Sequence, residues 1–147
     1  MASELHPDFP VVSGNYEMTK GWRLALPEDF NRRIEDGSLV LWRPELTFWF
    51  NVWHGDGQVS VDDVLARLLG DASPERSGEK IDRARTMVRL TYELAEDDAE
   101  RTDSDHTSVN GFVIYPSGYV QVSAYYDSPE ARLLAYAVID SIRAVPA

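Results

Sequence analysis

Cysteine is absent from the 147 residues, which excludes disulfides, thiolate nucleophiles and cysteine-ligated zinc and lends no support to an oxidising compartment. Histidine is scarce. His6, His54 and His106 fall in the N-terminal segment and two polar loops, without the His-x-x-x-His spacing that sets two ligands on one helix face, so neither a metal nor a cofactor is expected. Asp103, Asp105 and His106 are ligand types, but the glycine and distal glutamate of a calcium loop are missing, and the segment reads as a solvated loop. No window approaches ~18 consecutive apolar residues, and Met1 to Asp8 lacks the basic start and apolar stretch of a secretory signal. The expectation is a cytoplasmic protein with no membrane partner. Basic residues are outnumbered, 14 against 25 acidic, for a formal charge of −11. Neutralising phosphates needs clustered Lys and Arg, so nucleic acid is not an expected ligand either. The same charge favours solubility and would speed encounter with a basic protein.

Catalytic patterns are missing as well. Ser38, Ser60, Ser117 and Ser128 sit at turns or helix caps, where the hydroxyl has a backbone to bond, and no Gly-x-Ser-x-Gly elbow exists. Gly55 and Gly57 flank Asp56 after a strand, without the further glycines or lysine of a phosphate loop. His54 and Asp56 remain as a candidate acid–base pair at a strand end, with a plain turn as the alternative.

What is present is one domain's length of chain, 44% hydrophobic and 27% charged. Residues 1–20 lack periodicity and carry Pro7, Pro10 and Gly14, so they read as a tail ahead of a domain spanning 21–147. Trp22, Leu24 and Leu26 alternate as in a strand that Pro27 ends. Phe30–Glu35 and Ser38–Arg43 flank Asp36-Gly37 as a hairpin. In Leu46–Trp53 the residues Leu46, Phe48, Phe50 and Val52 take one face and Thr47, Trp49, Asn51 and Trp53 the other, a strand apolar on both sides. Ser60 caps a helix with Val61, Val64, Leu65, Leu68 and Leu69 inward, and Gly70 stops it. Residues 71–85 read as a polar connection with room for a short helical turn, Thr86–Glu96 as a strand, and 97–106 as an acidic loop. Val109–Tyr115 and Tyr119–Tyr126 form a hairpin about Pro116-Ser117-Gly118. Ser128 and Pro129 start a closing helix with an inner stripe of Leu134, Ala137, Val138, Ile142 and Val145. The class is therefore α+β, an antiparallel β-sheet flanked by helices.

Between Trp22 and about Val145 the chain resembles the PsbP-like superfamily. The resemblance rests on the opening Trp22, Leu24, Leu26, Pro27 and Phe30, the capped Ser60–Leu69 helix, the Phe112–Tyr126 hairpin and the closing helix with Asp140 to Arg143. It implies an α/β/α sandwich used as a binding scaffold, as in photosystem subunits, a Ran-binding import factor, DcrB-like proteins and effector chaperones of type VI secretion. The functional expectation is a non-catalytic bacterial protein-binding domain, an adaptor, chaperone or immunity-type protein. It would take one protein partner, with the charge favouring a basic one, and act as a monomer or homodimer. Candidate partner-binding residues are Trp42, Arg43, Trp49, Asn51, Trp53 and Tyr125, because tryptophan and tyrosine are favoured interface anchors. Arg32, Arg33 and Arg43 could hold an acidic partner in position. The alternative for the aromatic residues is the core. The alternative function is a small-molecule binder or enzyme with a pocket near His54 and Asp56, between the sheet and residues 71–85.

Overall fold

The computed structural model describes residues 5–19, 21–54, 60–95 and 107–145. In chain order the elements are β1 (Val11–Thr19), β2 (Trp22–Glu35), β3 (Ser38–Arg43), β4 (Leu46–His54), α1 (Val61–Asp71), β5 (Ser77–Arg83), β6 (Val88–Ala95), β7 (Thr107–Tyr115), β8 (Gly118–Tyr126), α2 (Pro129–Ser141) and β9 (Arg143–Ala144). Eight strands make one antiparallel sheet in the order β1-β2-β3-β4-β8-β7-β6-β5, and the two-residue β9 pairs with the start of β2.

The local chemistry of the turns and caps explains this order. Asp36 (φ 51°) and Gly37 (φ 85°) occupy the left-handed region that a tight two-residue hairpin requires, and they join β2 to β3. Pro116 and Ser117 join β7 to β8, with Tyr115 opposite Gly118. The Asp63 N–H donates to Ser60 Oγ (3.3 Å) and the Ala131 N–H to Ser128 Oγ (3.1 Å), so both helices carry the N-caps expected of them, whereas α1 runs on through Gly70, where a stop is expected, and ends at Asp71 with Ala72 as its C-cap.

Four expectations are corrected. Residues 11–19, read as tail, form β1, which pairs along β2 from Val11 opposite Asn31 to Thr19 opposite Trp22. Its alternation is broken in sequence because the register slips between Val12 and Gly14, and only Val12, Tyr16 and Met18 pack on the core. Pro27 does not end β2. It lies with Glu28 and Asp29 in the stretch that this slip leaves unpaired, where a missing N–H costs no ladder bond. Within residues 71–85, Ser77–Arg83 is the edge strand β5; it is exposed and charged, so it shows no apolar period, and such charges protect an edge from further pairing. Finally, α2 buries Ala131, Ala135, Val138 and Ile139, with Ile142 buried just beyond it as its C-cap, whereas Ala137 is exposed, Leu134 is only half-buried, and Val145, also half-buried, lies outside the helix. Small residues face the sheet there because the helix comes close to it: a Cβ on Gly111 would stand 3.0 Å from Val122 and 3.1 Å from Ile139.

Side-chain alternation distributes the core over the two sides of the sheet. α2 lies on the side bearing Phe48, Phe50, Val109, Val113, Val120 and Val122, together with Leu24 and Phe30 of β2. α1 packs by Val64, Leu65 and Leu68 on Val88, Leu90, Tyr92, Phe112 and Ile114, the alternate positions of β6 and β7, hence on the reverse side and at one end. Among the described residues no helix covers the reverse side of β3, β4 and the second half of β8. An antiparallel sheet with two helices is thus present, while the three-layer sandwich is not formed over most of the sheet.

Candidate binding face

The composition of the side that α2 does not cover follows from the period of two in β4. Phe48 and Phe50 are buried beneath α2, which sends Thr47, Trp49, Asn51 and Trp53 to the opposite side. Cross-strand register then sets their neighbours. Thr47 lies between Trp42 and Tyr125, Trp49 between Val40 and Ser123, Asn51 beside Gln121, and Trp53 beside Tyr119. Trp53 is 52% and Tyr125 41% exposed, whereas Trp42, Trp49, Asn51, Gln121 and Ser123 are half-buried. Five of the six sequence candidates therefore share one continuous face.

The polar side chains on it are held in place. Ser38 Oγ donates to Asn51 Oδ1 (2.7 Å), which fixes the amide and leaves its Nδ2 without a partner among the described residues. Ser123 Oγ donates to Asn110 Oδ1 (3.0 Å), and Asn110 Nδ2 to Ser108 Oγ (3.0 Å). Trp53 and Tyr119 are stacked with centroids 6.1 Å apart and planes at 23°. Amide groups interleaved with aromatic faces can accept backbone hydrogen bonds and apolar side chains together, which is the chemistry of recognition.

Arg43 is corrected: it lies on the other side of the sheet, its guanidinium 5.8 Å from the Phe30 ring centroid and donating to the Asp29 carbonyl (3.1 Å). Arg32 is also on that side, donating to the Tyr16 hydroxyl (2.6 Å). Arg33 alone of the three belongs to the face. Its guanidinium sits 4.6 Å from the Trp42 ring centroid and 5.8 Å from that of Trp49, and it pairs with Glu35 at 2.9 Å. That arrangement braces the two indoles.

Asn31, unremarked in the sequence, anchors the border of the face. It is fully buried; its Oδ1 accepts the His6 N–H (2.7 Å), and its Nδ2 donates to the carbonyls of His6 (3.0 Å) and Phe9 (3.2 Å). This holds Phe9 edge-on to Trp42, centroids 4.9 Å apart. The alternation of Tyr119, Gln121, Ser123 and Tyr125 against Val120, Val122 and Ala124 was the readable signal for the rest of the face.

The strongest electrostatic feature lies on the α2 side. Glu93 Oε1 accepts from Tyr126 OH (2.7 Å) and Arg132 Nε (3.1 Å), and Oε2 from the second Arg132 nitrogen (2.6 Å) and Tyr136 OH (2.8 Å). The Arg132 hydrogen bonds, helped by the two phenols, hold the Glu93 carboxyl down at about 2 against the opposing effect of burial. Burial and then the adjacent carboxylate push Tyr136 up to about 12. With every acceptor site engaged, this cluster fastens α2 to β6 and β8.

His54 ends β4 opposite Gly118 and borders a recess of about 240 Å³ between α1 and the β7–β8 turn. The recess is not the one expected against residues 71–85, and Asp56 lies outside the described residues, as do Asp103, Asp105 and His106. Among the described residues there is no group of three or more His, Asp or Glu placed to hold a metal ion, and no helix long and apolar enough to cross a membrane. Compared with protein-family models, curated proteins and solved structures, the chain matches none.

Proposed function

We propose that this protein is a non-catalytic binding domain, an adaptor, chaperone or immunity-type protein of a bacterial cytoplasm, that engages one protein partner through the face built on β3, β4 and β8. The observation that carries the reading is the placement of Trp42, Trp49, Asn51, Trp53 and Tyr125 on one side of adjacent strands, with Trp53 and Tyr125 open to solvent. Aromatic residues of this kind are costly to leave wet and characteristic of interface centres. The net charge of −11 favours a basic partner and a salt-sensitive encounter. Kinship with the PsbP-like superfamily, including the full α/β/α sandwich and an association with type VI secretion, belongs to the same proposal and rests on the sequence resemblance.

The test is recovery of a stoichiometric protein from native lysate at low and high salt, using the wild type, Trp49→Ala/Trp53→Ala and the control Leu133→Ala. Leu133 is 66% exposed on α2, away from the face. The proposal expects recovery by the wild type and the control and loss in the double variant, since truncating an interface tryptophan costs about 2 kcal/mol or more. Equal recovery by all three would place the contact elsewhere.

A further inference from the structure

We propose that the recess between α1 and the β4–β8 end of the sheet, which shares Trp53 and Tyr119 with the binding face, is a site for a small aromatic carboxylate. It is lined by Trp53, Tyr119, Pro116 and Val64, which supply flat and apolar walls, and by two polar side chains, Arg67 and His54. The stacked pair of Trp53 and Tyr119 offers a further ring an offset surface on which to pack.

Arg67 sets the charge expected of the ligand. Arg33, Arg76, Arg83 and Arg132 are each tied to a carboxylate. Arg67 makes no ion pair or hydrogen bond among the described residues, although Asp63 and Asp71 stand one turn away on either side of it in α1. Among the described residues no carboxylate lines the recess. A guanidinium without a partner at the rim of an apolar recess is matched by a planar anion able to accept two parallel N–H bonds. One such cation in a protein of charge −11 suits a singly charged carboxylate better than a doubly charged phosphate. The His54 ring adds a second hydrogen-bonding group. Size limits the ligand further: about 240 Å³ lies below the roughly 300–1,000 Å³ of sites for larger ligands, so the occupant is an acid of one or two rings. The site does not depend on a protein partner, although a partner seated on Trp53 would compete with the ligand for that wall.

Titration of the ¹⁵N-labelled protein with indole-3-acetate, followed by NMR, tests this, with indole-3-acetamide as the uncharged match. The expected result is saturable perturbation of the Trp53 side-chain N–H and of the Tyr119, His54 and Val64 amides, with the acid binding about tenfold or more tighter than the amide, the scale of a charge-assisted hydrogen bond. Arg67→Gln, a change at an exposed helix position, should erase that preference, and Arg67→Lys should keep part of it. Equal binding of acid and amide, an unchanged preference in Arg67→Gln, perturbations confined to other residues, or no binding of the acid at millimolar concentration would each overturn the assignment.

Discussion

At Glu93 a single carboxylate joins three elements, and its ionisation is coupled to folding. Because the folded state lowers its pKa to about 2, the stability it supplies is complete above the ordinary carboxylate range and is lost as pH falls from about 5 through about 2. Arg132 is 43% exposed, so water weakens the pair, and we expect Glu93→Gln to cost about 2–3 kcal/mol near neutral pH. Urea unfolding of both proteins across that range should show the difference shrinking towards acid; a constant difference would contradict the linkage. Asn31 acts on a different kind of contact. Replacing it with Ala leaves the His6 N–H and the carbonyls of His6 and Phe9 without their partner, so amide exchange at His6 should rise while exchange at Val120 and Val122 in the central strands stays slow.

Packing of whole elements depends on how closely they approach. Gly111 lies beneath α2 with Val122 and Ile139, both fully buried, on either side of where a Cβ would go. Gly111→Ala should therefore destabilise by about 1–3 kcal/mol in thermal or urea unfolding, through overpacking. At the other end of α2, Ser141 Oγ accepts the Ala25 N–H (2.8 Å) at an edge of β2 that lies between the segments paired with β3 and β9. Ser141→Ala removes that partner, at a cost of about 1–2 kcal/mol by the same measurement. Legibility in the sequence also varied by element. β4, β8 and both helix caps were readable because their signals are local: a strict period of two, or a serine three residues before the N–H it caps. β1 and β5 were not, since edge strands bury little and their registers are irregular, so pairing with a neighbour forms them without an apolar pattern. Arg43 was misplaced for a related reason. It shares parity with Leu39 and Leu41, which face α2, and nearness in sequence to Trp42 says nothing about which side of the sheet it takes.

At the scale of the sheet, one side is closed by α2 and, among the described residues, the other is covered by a helix only at the β6–β7 end, by α1. The asymmetry concentrates wet aromatic surface on the reverse of β3, β4 and β8, where Tyr125 and Trp53 are open and Arg33 stiffens Trp42 and Trp49. Trp49 and Trp53 belong to neither buried core cluster, so the variant lacking both indoles should still fold, which its far-ultraviolet circular dichroism checks. Photo-crosslinking decides whether this face is the interface, with p-benzoylphenylalanine placed at Tyr125 on the face or at Leu133 on the outer surface of α2, in cells producing the full chain. One discrete crosslinked protein from position 125 and none from 133 is the expected result; a crosslink from 133 alone, or the same product from both, would rule the face out as the interface.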